Sequence, residues 1–114
     1  MRVILFQPHF ASLVRRGAKT QTMRKKARCK LGDTLSLRQW SGRPYRSKQV
    51  VIREVVCKSV APVCVDKCNG VTVDGLPVDA EEFARADGFE YFLDMLIWLD
   101  ATHGLPFRGD LISW

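Results

Sequence analysis

Gly17-Ala18-Lys19-Thr20-Gln21-Thr22-Met23-Arg24 packs an amine, two hydroxyls, an amide and a guanidinium into eight residues, directly after a helix-like segment. From Thr20 on, an extended chain would put Thr20, Thr22 and Arg24 on one face and Gln21 and Met23 on the other. A turn at Gly17-Ala18 would aim the Lys19 amine at the same face as the threonines. Such a face suits a polar ligand, anionic or base-like. A plain surface strand would carry the same residues.

Upstream, Val3 to Phe6 is apolar throughout and reads as a buried strand. Pro8 fits the first turn of a helix whose Phe10, Leu13 and Val14 recur at i, i+3, i+4. Gly17 stops that helix, and Arg15 and Arg16 suit the negative end of its dipole.

Downstream, Arg24-Lys25-Lys26-Ala27-Arg28, followed by Lys30, is a basic run. It is either a solvated face or a set of phosphate contacts. Thr34 to Trp40 alternates as a half-buried strand, with Ser36 and Arg38 opposite Leu35 and Leu37. The loop Ser41 to Lys48 sets Tyr45 between Arg43 and Arg46, which suits base stacking flanked by phosphates as well as it suits a packed surface loop.

Gln49 to Val60 is a β-branched run long enough to need a bend or bulge, as in the closing of a small barrel. Val71 to Gly75 carries an Asp-Gly hairpin signal. Asp79 with Glu82 marks a helix start. Asp87 with Glu90 repeats the pattern ahead of an expected core stripe, Phe89, Phe92, Leu93 and Leu96. Gly104 ends the second helix, and Asp110 to Trp114 closes the chain as a strand.

Gly17, Lys19, Thr22 and Arg24 stand as G-x-K-x-x-T-x-R, which resembles the signature of the ASCH family, relatives of the PUA domains that bind RNA. The likeness extends over most of the chain, residues 1–114 as a single domain. Ile4 to Pro8 precedes a short helix, and Lys30 to Leu35 resembles a K-x-G-D-x-L start of a strand. Ala84 to Phe89 resembles an A-x-x-E-G-F segment, and Phe107 to Trp114 the closing strand. Residue patterning alone implies an α+β fold; the resemblance implies a PUA-like small β-barrel with flanking helices.

The resemblance also implies chemistry. ASCH proteins include bacterial enzymes that hydrolyse the amide of N(4)-acetylcytidine with a Lys, a Thr and a Glu. The first two carry over as Lys19 and Thr22. The Glu falls on Asp87, one methylene shorter, which would serve equally as a helix cap. A neutral lysine can deprotonate the threonine for attack on the acetyl carbonyl, while Arg24 or backbone amides steady the oxyanion and the acid protonates the leaving amine. To act as a base, Lys19 needs a pKa well below about 10.4, through burial and the nearby Arg24. Two further readings of the same family compete, a non-catalytic RNA-binding module and a ribonuclease. Thr20, Arg24, Lys25, Lys26, Arg28, Arg38, Arg43, Tyr45 and Arg46 are the residues expected to meet RNA or a nucleoside.

Composition bounds these readings. The chain has 114 residues and a net charge of +6. Residues 1–58 hold 15 basic and 2 acidic residues, a balance of +13, whereas residues 59–114 hold 3 and 10, a balance of −7. This asymmetry favours a polyanionic partner, unless the halves interleave and cancel. No apolar run reaches the length of a membrane span, so no membrane partner is expected. The run Val3 to Phe6, broken by Gln7, Pro8 and His9, does not read as a signal peptide, and a cytoplasmic location is expected. Cys64-x-x-x-Cys68 invites zinc, with Cys57 and a histidine as further ligands. No second closely spaced pair supports that set, so the expectation is reduced thiols, no metal and no cofactor. His9 and His103 each stand alone and are expected to pack or cap.

Overall fold

Gly17 adopts φ 77° at the C-cap of α1 (Pro8–Arg16), a left-handed conformation in which a Cβ is disfavoured. Its backbone N–H, with those of Ala18 and Lys19, bonds carbonyls of the last turn, and the chain reverses into β2 (Gln21–Arg24). The computed structural model describes residues 1–114. In order it has β1 (Arg2–Leu5), α1, β2, β3 (Thr34–Trp40), β4 (Gln49–Val56), β5 (Ser59–Asp66), β6 (Gly70–Val73), β7 (Leu76–Val78), α2 (Ala80–Ala86), α3 (Phe92–Thr102) and β8 (Phe107–Ser113).

The fold is α+β. Its strands form two sheets, one ordered β1-β3-β4 and one ordered β2-β8-β5-β6-β7. β1 runs parallel to β3, and every other pairing is antiparallel. The run expected as one bent strand over Gln49 to Val60 is two strands. It breaks at Cys57-Lys58, where the chain leaves the first sheet for the second. Cys57 exchanges this ladder for bonds with Gly32 and Asp33, and Lys58 N–H donates to Ser113 at 2.8 Å. A bulge does occur, in the register between Leu37 and Arg38.

β1 is an edge strand, so it is not buried throughout. Ile4 is buried and Val3 is 47% exposed. The Asp-Gly turn forms as expected, Asp74 and Gly75 both taking positive φ between β6 and β7.

Two apolar clusters fill the interior. One joins β1, α1 and β3 through Ile4, Phe10, Val14, Leu35 and Leu37, with Phe6 just beyond β1. The other joins β5, β6, β8 and the C-terminal helices through Val65, Val71, Phe83, Met95 and Leu99. Consecutive residues of β8 serve both, Ile112 the first cluster and Leu111 the second, since successive strand residues face opposite sides.

Asp79 caps α2 by accepting the Glu82 N–H at 2.9 Å, as expected. α3 differs. It begins at Phe92 rather than near Asp87, with the Glu81 carboxylate accepting the Phe92 N–H. Its inward stripe is Met95 and Leu99, with Phe92 and Leu96 partly buried beside them. Leu93, expected in the core, is 64% exposed. No helix is long and apolar enough to cross a membrane.

Candidate functional site

The turn at Gly17 delivers Lys19 to the end of α2. Thr20 N–H donates to the Ala86 carbonyl at 3.1 Å, docking the first residues of the motif against the helix terminus. The Lys19 stem then lies against Gly88, where an added Cβ would stand 3.4 Å from Lys19 Cδ and 3.0 Å from Leu13 Cδ1. Gly88 also has φ 99°, so both space and backbone call for glycine there. The Lys19 amine ends 5.0 Å from the centre of the Phe10 ring.

Lys19 Nζ donates to the backbone carbonyl of Asp87 and lies 3.5 Å from its carboxylate Oδ1. The two side chains are 3% and 5% exposed, and they form the only side-chain ion pair in the structure. Asp87 Oδ1 has no hydrogen-bond partner. Asp87 is therefore no N-cap of a second helix. It stands at the C-terminal end of α2, with its carboxylate turned inward beside Lys19.

Burial governs both groups, because each charged form has lost its water. It pushes the Asp87 carboxyl from 3.8 to about 6, although Lys19, Gln21 and Arg24 pull the other way. It lowers Lys19, opposed by Asp87 and assisted by Arg24. The two directions agree: burial draws the acid up and the amine down, so it disfavours the charged form of each.

Lys19, Thr22, Arg24 and Asp87 line one cleft of about 520 Å³. Phe6, Phe10 and Trp98 give it aromatic walls, and Lys25, Lys26 and Arg28 bring further positive charge. Arg24 is anchored, its Nη2 donating to the Leu5 carbonyl at 3.0 Å and its guanidinium lying 5.6 Å from the Phe6 ring centre. β2 meets β8 closely here. A Cβ on Gly109 would fall 2.3 Å from the Arg24 carbonyl oxygen, so only glycine allows this approach. Asp110, next on β8, accepts the Ala27 N–H at 2.7 Å and holds the basic run against the sheet.

Lys26 and Arg28 also line a second cavity of about 940 Å³, with Arg2 and Lys30 on its walls. The positive lining therefore continues outward from the cleft.

The other residues expected to meet a ligand lie elsewhere. Thr20 precedes β2 and is exposed; its carbonyl accepts the Trp114 N–H at 3.1 Å, and its side chain does not line the cleft. Arg38 is held by Ser36 Oγ at 2.8 Å and Gln49 Oε1 at 3.0 Å. Arg43, Tyr45 and Arg46 form the tip of the β3–β4 hairpin, outside the cleft.

Trp98, Thr102 and His103 line the cleft without any signal in the sequence, because α3 reaches it only through tertiary packing. His103 lies 6.1 Å from the Trp98 ring and 5.3 Å from that of Phe107. Burial, then Lys25 and Arg24, lower its pKa and favour the neutral imidazole. The cysteines are all free, and no group of three or more His, Cys, Asp or Glu side chains converges as a metal site would require. Comparison with family models, curated proteins and solved structures finds no match to the chain.

Proposed function

We propose that this chain is an ASCH-type amidohydrolase, acting on the acetyl amide of N(4)-acetylcytidine through Lys19, Thr22 and Asp87. The observation that carries the reading is the buried Lys19–Asp87 pair, whose members are driven toward neutrality in a cleft shared with Thr22 and Arg24. A structural ion pair needs no such cleft. An acid–base pair does, and perturbed groups of this kind concentrate where protons are moved.

In the proposed reaction neutral Lys19 takes the Thr22 hydroxyl proton, and Thr22 Oγ attacks the acetyl carbonyl. Arg24, a permanent cation in a water-poor site, stabilises the oxyanion. Protonated Asp87 gives its proton to the departing N4 of cytosine, and the C–N bond breaks. Water then attacks the acetyl-threonine. Its proton passes to Asp87, the Lys19 ammonium returns its proton to Thr22 Oγ, and acetate leaves. Phe6, Phe10 and Trp98 would flank the pyrimidine plane.

The finer fold belongs to the same proposal. The chain crosses from the first sheet to the second at Cys57-Lys58, and Ile112 and Leu111 of β8 face opposite apolar clusters, which supports a PUA-like curved arrangement. RNA is the second reading, favoured by the unpaired cations that lead out of the cleft into the larger cavity. Incubating purified protein with N(4)-acetylcytidine separates the readings. Acetate and cytidine in equal amounts support the amidohydrolase. Tight, salt-sensitive binding of RNA with no acetate supports a binding module, and shortened oligoribonucleotide a nuclease.

A further inference from the structure

The β3–β4 hairpin lies outside the cleft, and the chemistry above makes no use of it. From Thr34 to Val56 it carries five cations, Arg38, Arg43, Arg46, Lys48 and Arg53, against one carboxylate, Glu54, which lies away from the tip. None of the five is in an ion pair. Its tip is ordered by its own hydrogen bonds. Ser41 N–H donates to the Lys48 carbonyl at 2.8 Å and Arg46 N–H to that of Arg43 at 3.1 Å. Ser47 Oγ accepts from Gly42 N–H at 3.0 Å and donates to the Arg43 carbonyl at 2.7 Å.

These bonds leave Tyr45 at φ 63°, in the left-handed region that a bulky residue adopts at a cost. No burial offsets that cost, because Tyr45 is 87% exposed. The one aromatic ring it meets is Trp40, with centroids 5.1 Å apart and planes inclined at 49°. An aromatic ring is thus held out to solvent, backed by a second ring, with Arg43 and Arg46 close on either side of it in sequence.

We propose that this hairpin tip is a second binding site, for an unpaired base of a single-stranded polynucleotide. The base would stack on Tyr45, supported by Trp40, while Arg43, Arg46 and Lys48 meet the flanking phosphates. Stacking needs a free base face, which a duplex does not offer. Because the tip is already ordered, little conformational entropy is lost on binding. A protein partner would call for a broad apolar centre to bury, and the tip offers only Pro44 and the Tyr45–Trp40 pair among cations and small polar residues.

The site stands independently of the cleft chemistry. Anisotropy with a short labelled oligouridylate tests it. Tyr45→Gly removes the ring and relieves the backbone, so the variant is expected to fold as well as the parent. Its affinity should fall about 5- to 150-fold, the range for one stacked base. Tyr45→Phe should keep the affinity. Replacing Arg43 and Arg46 by Ala should reduce the slope of log affinity against log salt by about 1.4, or about 0.7 for each phosphate left unneutralised.

Unchanged affinity in Tyr45→Gly overturns the proposal, as does equal binding of a duplex of the same length. So does a dimer that Tyr45→Gly converts to monomers in sedimentation without weakening the oligonucleotide. Acetate release from free acetylcytidine should be unaffected by Tyr45→Gly, so a failure here is distinct from a failure of the cleft reading.

Discussion

Lys19 and Asp87 are buried against each other in a cleft walled by aromatic rings, whereas Arg43, Arg46 and Lys48 stand at the end of a hairpin, open to water. In the cleft, desolvation sets the protonation of both partners, and each depends on the other. At the tip, water reaches every charge and none has a carboxylate partner. Buried charge of the first kind can move protons but costs stability. Exposed charge of the second kind can only attract and position an anion. The molecule keeps the two apart, and substitutions in each region should behave accordingly.

The largest expected effect is in the cleft. Lys19→Met or Asp87→Leu alone leaves a buried group without its counter-charge, and each should cost about 3–5 kcal/mol in urea unfolding. The double variant should cost clearly less than the two singles added together, because no orphaned charge remains. Strict additivity would mean that the pair is not coupled. At the tip, Arg43→Ala should stay within about 0.5 kcal/mol of the parent.

Next in size is a pH effect with a sign opposite to ordinary acid denaturation. The folded Asp87 carboxyl titrates at about 6 against an ordinary 3.8, so the folded protein holds the extra proton between these values. Stability from this group is complete below the ordinary value and is lost as pH rises through about 6. The loss amounts to about 3 kcal/mol. Chemical denaturation from pH 4 to 7 should show the parent losing stability relative to Asp87→Asn over that window. A flat difference would mean that the carboxyl is not desolvated.

Glycines sharpen the contrast further. Gly109→Ala forces a Cβ into the Arg24 carbonyl and should cost about 3 kcal/mol, lowering the melting temperature accordingly. Gly42→Ala at the tip meets only Ser47, at an ordinary 3.6 Å, and should change stability by less than about 1 kcal/mol. Tyr45→Gly acts in the opposite direction: it relieves a left-handed backbone and should stabilise by up to about 1 kcal/mol.

Local chemistry was legible in the sequence. Pro8 and Gly17 bracket α1, Asp79 and Glu82 start α2, and Asp74-Gly75 turns the β6–β7 hairpin, each within a few residues of its own signal. Pairings over long separations were not. The break at Cys57-Lys58 lies inside a β-branched run, and the bonds that make it come from Asp33, Gly32 and Ser113. The start of α3 depends on Glu81, eleven residues earlier, so the Asp87–Glu90 pattern suggested a cap that does not form.

The cleft divides in the same way. Thr22 and Arg24 line the cleft as strand alternation implied, but Met23, expected on the other face, lines it too, and Thr20 fell before the strand and outside its pattern. Asp87 needed the resemblance to be singled out. His103 and Trp98 needed α3 to fold against Phe10 and Phe107. The tip residues were recognisable by type, but their separation from the cleft was not.

Lys19→Arg gives the most direct test of the cleft as a catalytic site. The change keeps a cation of similar size but removes any neutral base, since a guanidinium does not deprotonate in proteins. Acetate release from N(4)-acetylcytidine should be followed beside oligouridylate binding in the same preparation. We predict that the parent releases acetate, that Lys19→Arg falls to background, and that binding at the hairpin tip is unchanged. Acetate release by Lys19→Arg at the parent rate would contradict the account.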